Sequence, residues 1–125
     1  MDDEQRIQQG MAVRREVLGN DHVDRAMART TEFTAPFQEF ITRYAWGDIW
    51  SRPGLSRVER SMITLTALAV LRQDEELAMH VRAALANGLA PSQIQEVLLQ
   101  VAVYAGVPAA NRAFAVASEV LENAT

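Results

Sequence analysis

Apolar residues recur along this chain at the three- and four-residue spacings of helices, and the strict alternation of a half-buried strand does not appear. Gln5–Leu18 carries Ile7, Met11, Val17 and Leu18 as a loose stripe that stops at Gly19-Asn20. Asp21, followed by Asp24, reads as the N-cap of a short helix running to about Thr30. Thr34 and Pro36 predict the start of the next helix, with Phe37, Phe40, Ile41 and Tyr44 on one face. Arg43, Trp46 and Trp50 form a second stripe on the same segment. Two stripes predict a segment covered on both sides, by its own core and by something else.

Ser51-Arg52-Pro53-Gly54 is the clearest break. Ser56 with Glu59 then reads as a capping box. The helix it opens is apolar nearly all round over Met62–Leu71, which predicts a central, buried helix. Asp74 reads as the cap of a helix ending at Asn87-Gly88, and Pro91 as the first residue of another. That next helix carries Ile94, Val97, Leu98, Val101 and Ala102 on one face. Gly106-Val107-Pro108 ends it and starts a last helix, with Ala110, Ala113, Phe114, Ala117 and Leu121 inward. The expected class is all-α, a single domain over residues 1–125 built as a helical bundle.

Composition narrows the function. The 125 residues are 49% hydrophobic and 22% charged, ordinary values for a soluble globular protein. A net charge of -4 weighs against a nucleic-acid surface. The start is acidic, with no signal-peptide core, and no apolar run is long enough to span a membrane. A cytoplasmic protein is expected. There is no cysteine, hence no thiolate nucleophile and no Cys metal site. There is no lysine either, since all 12 basic residues are Arg, hence no Schiff base. The remaining chemistry is acid–base and electrostatic.

Glu76 and His80, four apart on the predicted helix Asp74–Asn87, share a face. A carboxylate beside an imidazole favours its charged form, so the pair suits proton transfer near neutral pH. The plainer alternative is a surface pair worth a few tenths of a kcal/mol. Glu75 reads as a first-turn acid favourable to the helix dipole. Arg43, Arg60 and Arg82 are candidates for holding small carboxylates, against the alternative of solvated surface arginines. Tyr44 and Tyr104 are candidate hydrogen-bond donors or core aromatics, and Trp46 and Trp50 a pocket wall or an interface plug. Asn111 falls in a first helical turn, where it caps backbone or meets a ligand. His22 reads as a surface residue. With two His, no His-Glu-x-x-His and no Cys, no metal site is expected.

Three segments go beyond a generic bundle: Phe40–Leu55 with its Arg43-Tyr-Ala-Trp-Gly47 run, Asp74–His80, and Glu96–Asn111 ending in Gly106-Val-Pro-Ala-Ala-Asn111. In order and spacing they resemble the carboxymuconolactone decarboxylase family, of the alkylhydroperoxidase D-like all-α superfamily. The likeness runs from about Gly10 to Leu121. It implies a cofactor-free carboxy-lyase that converts γ-carboxymuconolactone to β-ketoadipate enol-lactone and carbon dioxide. That step belongs to the protocatechuate branch of the β-ketoadipate pathway, in aromatic catabolism. The resemblance also implies a homo-oligomer, usually a hexamer. Peroxidase relatives use a Cys-x-x-Cys and His set; here Gln73 and Glu76 stand in the cysteine places and His80 in the histidine place, which excludes that peroxidase chemistry. Ala105 stands where relatives often carry a small Cys.

On this resemblance, His80 is the expected proton donor and Glu76 its orienting partner. Arg43 and Arg60 are expected on the substrate carboxylates, with Tyr44, Trp46, Tyr104 and Asn111 around the substrate. Two readings compete with it. One is a non-catalytic helical oligomer binding an aromatic acid or lactone; the other is a decarboxylase or isomerase acting on a related lactone.

Overall fold

The computed structural model describes residues 1–124, and among these the protein is all-α, with no strand. The chain divides into two compact units, one ending at Ser56 and the other beginning at Arg57.

In the first unit, α1 (Asp3–Leu18) opens with a reciprocal cap: the Asp2 carboxylate accepts from the Gln5 N–H at 2.8 Å, and the Gln5 side chain accepts from the Asp2 N–H at 2.9 Å. It ends at Gly19, which also serves as N-cap of α2 (Asn20–Ala28). Gly19 has φ 91, a left-handed backbone open to glycine at no steric cost. The expected cap at Asp21 is therefore corrected; Asp21 lies in the first turn, beside the dipole's positive end. Then α3 (Ala35–Ile41) starts after Thr34 with Pro36 in its first turn.

Residues Thr42–Trp50 continue α3 as a π-helical segment. Such segments are rare, usually a single turn, and frequent at functional sites. The wider turn faces Trp46 and Gly47 toward α1 and leaves Tyr44 exposed. Of the two predicted stripes, the tryptophan stripe is the one in the unit's core. Trp46 packs with Val13 and Val17, and stacks on Trp50 with centroids 5.1 Å apart. Phe37, Phe40 and Tyr44 are exposed, the last two stacked at 5.3 Å.

The second unit holds α4 (Arg57–Val70), α5 (Asp74–Ala86), α6 (Pro91–Ala105) and α7 (Val107–Asn123). Leu65, Leu77, Val81, Ile94, Leu98 and Val101 form its core with a small-residue row, Ala110, Ala113 and Ala117, on α7. Burying each large aliphatic side chain contributes roughly 1.5–3 kcal/mol, and the alanines let α7 lie close to α5 and α6. On α7 the inward residue is Val120, while Leu121 is only half-buried.

Two expectations are corrected here. Asp74 is the first helical residue of α5, and the N-cap is Gln73. The α4 helix is not buried all round: Leu65 and Ala69 face the core, whereas Ile63, Val70 and Leu71 are exposed. Its neighbours α5, α6 and α7 take one face and leave the other apolar face uncovered within this unit. The α4–α5 turn uses Arg72 at φ 57, a left-handed position usually given to glycine. Its geometry is that of a helix end closed by Gln73 N–H donating to the Leu68 carbonyl at 3.0 Å.

Candidate active site

Glu76 and His80 lie one turn apart on α5, Glu76 exposed and His80 half-buried. Their helix is anchored by Leu77 and Val81, both fully buried, so the register of the pair is fixed by core packing. At the start of α5, Asp74 forms an ion pair with Arg112 of α7. This contact ties down the turn from which Glu76 projects. It is partly exposed, so its worth in stability is small.

The other candidates of the second unit occupy separate elements. Arg60 is half-buried near the start of α4, Tyr104 is 85% exposed near the end of α6, and Asn111 is exposed in the first turns of α7. Arg82 is exposed two residues beyond His80, on the side of α5 that lines a groove with Asp74 and Glu119. Tyr104 borders a different groove of about 540 Å³, formed by Met62, Ile63, Thr66 and Val70 of α4 with Val97 and Gln100 of α6. His80 and Glu76 line neither groove.

In the first unit, Arg43 is half-buried and Tyr44 exposed on the π segment, and Trp46 fills the core. The Arg43–Gly47 run therefore has two jobs. Trp46 and Gly47 pack the segment against α1; a Cβ on Gly47 would stand 2.7 Å from the Arg6 carbonyl oxygen. Arg43 and Tyr44 are the two residues of the run that keep an accessible polar group. The Gly106–Asn111 run divides likewise. Gly106 turns the chain at φ 97, Pro108 starts α7, Ala109 and Ala110 are buried, and Asn111 remains exposed.

Sequence reasoning passed over Arg14. It is 5% exposed on α1, in the inward row Gly10, Val13, Arg14, Val17. That row was visible as a charged residue at helical spacing among small and apolar ones, but the stripe through Ile7 and Met11 drew the reading one position aside. Burial, and next the neighbouring Arg15, lower the Arg14 pKa.

Among the described residues, no three His, Asp or Glu side chains are grouped as a metal ion would require. No helix is long and apolar enough to cross a membrane. The residues include an imidazole with a carboxylate one turn away, half-buried and exposed arginines, and exposed tyrosine hydroxyls. That set can bind anions and move a proton.

Comparison with known proteins fits this inventory. A model described as the carboxymuconolactone decarboxylase family matches residues 35–119, more than half of the chain. The chain belongs to the carboxymuconolactone decarboxylase family. Within reach of that family assignment, it is 46% identical over 123 residues to the 4-carboxymuconolactone decarboxylase of Acinetobacter baylyi, covering 98% of this chain and 92% of that protein. It is 40% identical over 115 residues to the nitrosuccinic acid decarboxylase of Metarhizium robertsii, covering 92% and 80%. A 4-carboxymuconolactone decarboxylase sequence from Pseudomonas putida is 54% identical over 48 residues, all of that sequence and 38% of this chain. The family match spans both motif runs, the π segment and α5 with its His80.

Proposed function

We propose that the protein is a cofactor-free carboxy-lyase that converts γ-carboxymuconolactone to β-ketoadipate enol-lactone and carbon dioxide, in the protocatechuate branch of the β-ketoadipate pathway. The observation that carries this reading is the near full-length identity to the Acinetobacter baylyi decarboxylase. The chemistry suits the residues. Breaking the bond from the γ-carbon to its carboxylate releases carbon dioxide. The electron pair left behind moves through the ring double bond onto the lactone carbonyl oxygen. The resulting dienolate takes a proton at the α-carbon. The substrate is its own electron sink, so a chain without lysine or cysteine is adequate to the task.

In this reading His80 delivers the proton and Glu76 orients it. Arg43 and Arg60 hold the two carboxylates, the one that leaves and the one that stays. A hydroxyl, from Tyr44 or Tyr104, donates to the lactone oxygen as charge grows there; such donors are worth roughly 10²–10³-fold. Asn111 contacts the substrate from the start of α7, and Trp46 supports the π segment from behind.

The identity to a nitrosuccinic acid decarboxylase favours a second reading. Loss of carbon dioxide beside a nitro group also leaves an electron pair that the substrate itself accepts, on the nitro oxygens. The same demands recur: two carboxylates to bind, a growing oxyanion and a carbon to protonate. An ultraviolet progress curve with each substrate, on protein freed of metal, decides between them. Turnover of the lactone is expected to be undiminished by EDTA, since no step calls on a metal. Complete loss restored by one divalent ion would overturn the mechanism.

The protein is further read as a cytoplasmic homo-oligomer, a hexamer by family resemblance. Ile63 and Val70 on α4, Leu71 just beyond it, and Leu99, Val103 and Tyr104 on α6 are exposed in the single chain. Ile63, Val70 and Tyr104 border one groove between α4 and α6, and exposed apolar surface of this kind usually marks an interface. Light scattering is expected to give six times 13.9 kDa. A mass of one chain at every micromolar concentration would refute the assembly.

A further inference from the structure

Arg14 is a buried cation with neutral partners. Its Nη1 donates to Gln38 Oε1 at 3.1 Å and, more weakly, to Thr42 Oγ1 at 3.4 Å. Its Nε is buried with no hydrogen-bond partner. Among the described residues it makes no ion pair. The guanidinium does not lose its proton in a protein, so the charge is carried at the expense of stability. Apolar replacement of buried charges is often neutral or stabilising, so stability alone does not explain an arginine here.

The two bonds end on either side of one structural event. Gln38 lies in the α-helical part and Thr42 is the first π residue. Thr42 Oγ1 also donates back to the Gln38 carbonyl at 2.7 Å. The same junction meets α1 at Gly10, where a Cβ would stand 2.0 Å from the Thr42 carbonyl oxygen. Arg43 follows Thr42 directly, and the stacked pair Phe40–Tyr44 straddles the junction. Where the helix changes from i→i+4 to i→i+5 bonding sets the direction in which Arg43 and Tyr44 project.

We propose that Arg14 is a positioning residue: by gripping Gln38 and Thr42 it holds the α-to-π junction and so aims Arg43 and Tyr44 at a carboxylate-bearing ligand. The second half of this rests on Arg43 acting as a carboxylate anchor, as in the function proposed above.

The test uses the full chain carrying Arg14→Met, which keeps an unbranched apolar stem and removes the donors. Its thermal midpoint is expected within ~4 °C of wild type, or above it, the span of a small change in stability. Amide exchange over residues 42–50 is expected to rise at least ~10-fold, as local opening becomes easier. The near-ultraviolet dichroism of the stacked Trp46–Trp50 pair should change with it. KM for the lactone is expected to rise ~10-fold with kcat within ~3-fold, the pattern of lost binding. The double variant with Arg43→Ala should be no worse than Arg43→Ala alone, because both act through one group.

If Arg14→Met does not fold, Arg14→Lys is read by the same measurements, since it keeps the charge and loses the planar fork. Wild-type exchange and dichroism in the folded variant would overturn the proposal. So would a lower midpoint with unchanged KM, or fully additive losses in the double variant. If the wild-type protein turns over no lactone, or Arg43→Ala leaves KM unchanged, the functional reading fails instead. Exchange and dichroism then decide the junction by themselves.

Discussion

Replacing His80 by Ala should lower turnover of the lactone by at least ~10²-fold, the lower range for a positioned proton donor. The expected loss is in kcat, because the proton moves only in the transition state and the substrate carboxylates are held elsewhere. The fold should survive. His80 is half-buried on a helix whose seating depends on Leu77 and Val81, and Ala favours helix. Glu76→Gln should cost less, since the amide keeps the size and polarity of the side chain one turn from the imidazole. The measurement is single-turnover kinetics on protein whose mass matches the wild-type assembly. A wild-type rate in His80→Ala would remove the imidazole from the mechanism. The tyrosines would then be the donors to try, beginning with Tyr44 beside Arg43 and Tyr104 on the α6 rim.

Much of the helical layout was legible from punctuation and period. Gly19, Pro91, Gly106 and Pro108 each mark a boundary close to where it falls, because glycine opens backbone conformations that end a helix and proline fixes φ and removes a donor, whatever surrounds them. The α6 face of Ile94, Leu98 and Val101 was legible for the same local reason. What stayed hidden depends on partners far along the chain. A 3.6-residue period assumes α geometry, so the π segment gave two competing stripes. Only packing against α1 decides that Trp46 is inside and Phe40 outside. The uniform apolarity of α4 matched burial on all sides, yet three helices cover one face. The left-handed turn at Arg72 was not legible, because the residue that normally announces such a cap is glycine.

The candidate site divides in the same way. Glu76 and His80 were legible as a pair because i and i+4 share a face on any helix. Which arginine or tyrosine serves them is a matter of long-range geometry that spacing does not encode. The motif runs mix buried packing residues with accessible polar ones. Trp46, Gly47, Ala109 and Ala110 turn out to be packing positions, and only their burial separates them from Arg43, Tyr44 and Asn111.

Gly10→Ala should destabilise the first unit by about 3 kcal/mol or more, the upper range for overpacking. Local helix propensity argues the reverse. Ala in the middle of α1 would gain roughly 0.8–1.0 kcal/mol over Gly. The contact decides the sign, because a Cβ at Gly10 would lie 2.0 Å from the Thr42 carbonyl oxygen and 2.9 Å from the Gly47 nitrogen. Both atoms belong to backbone, so no rotamer change relieves the clash. Either α1 backs away from the π segment, opening the Val13–Val17–Trp46 core, or the segment changes its turn. Gly54→Ala is the control: nothing lies within 4 Å of its Cβ, and the expected change is within about 0.5 kcal/mol. Urea unfolding followed by the fluorescence of Trp46 and Trp50 reports on this unit directly, since both tryptophans sit in it. A Gly10→Ala protein as stable as wild type would mean that α1 and the π segment are not in backbone contact. A lower urea midpoint, with Gly54→Ala unmoved, would place the close approach of these two elements among the main restraints on the segment that carries Arg43 and Tyr44.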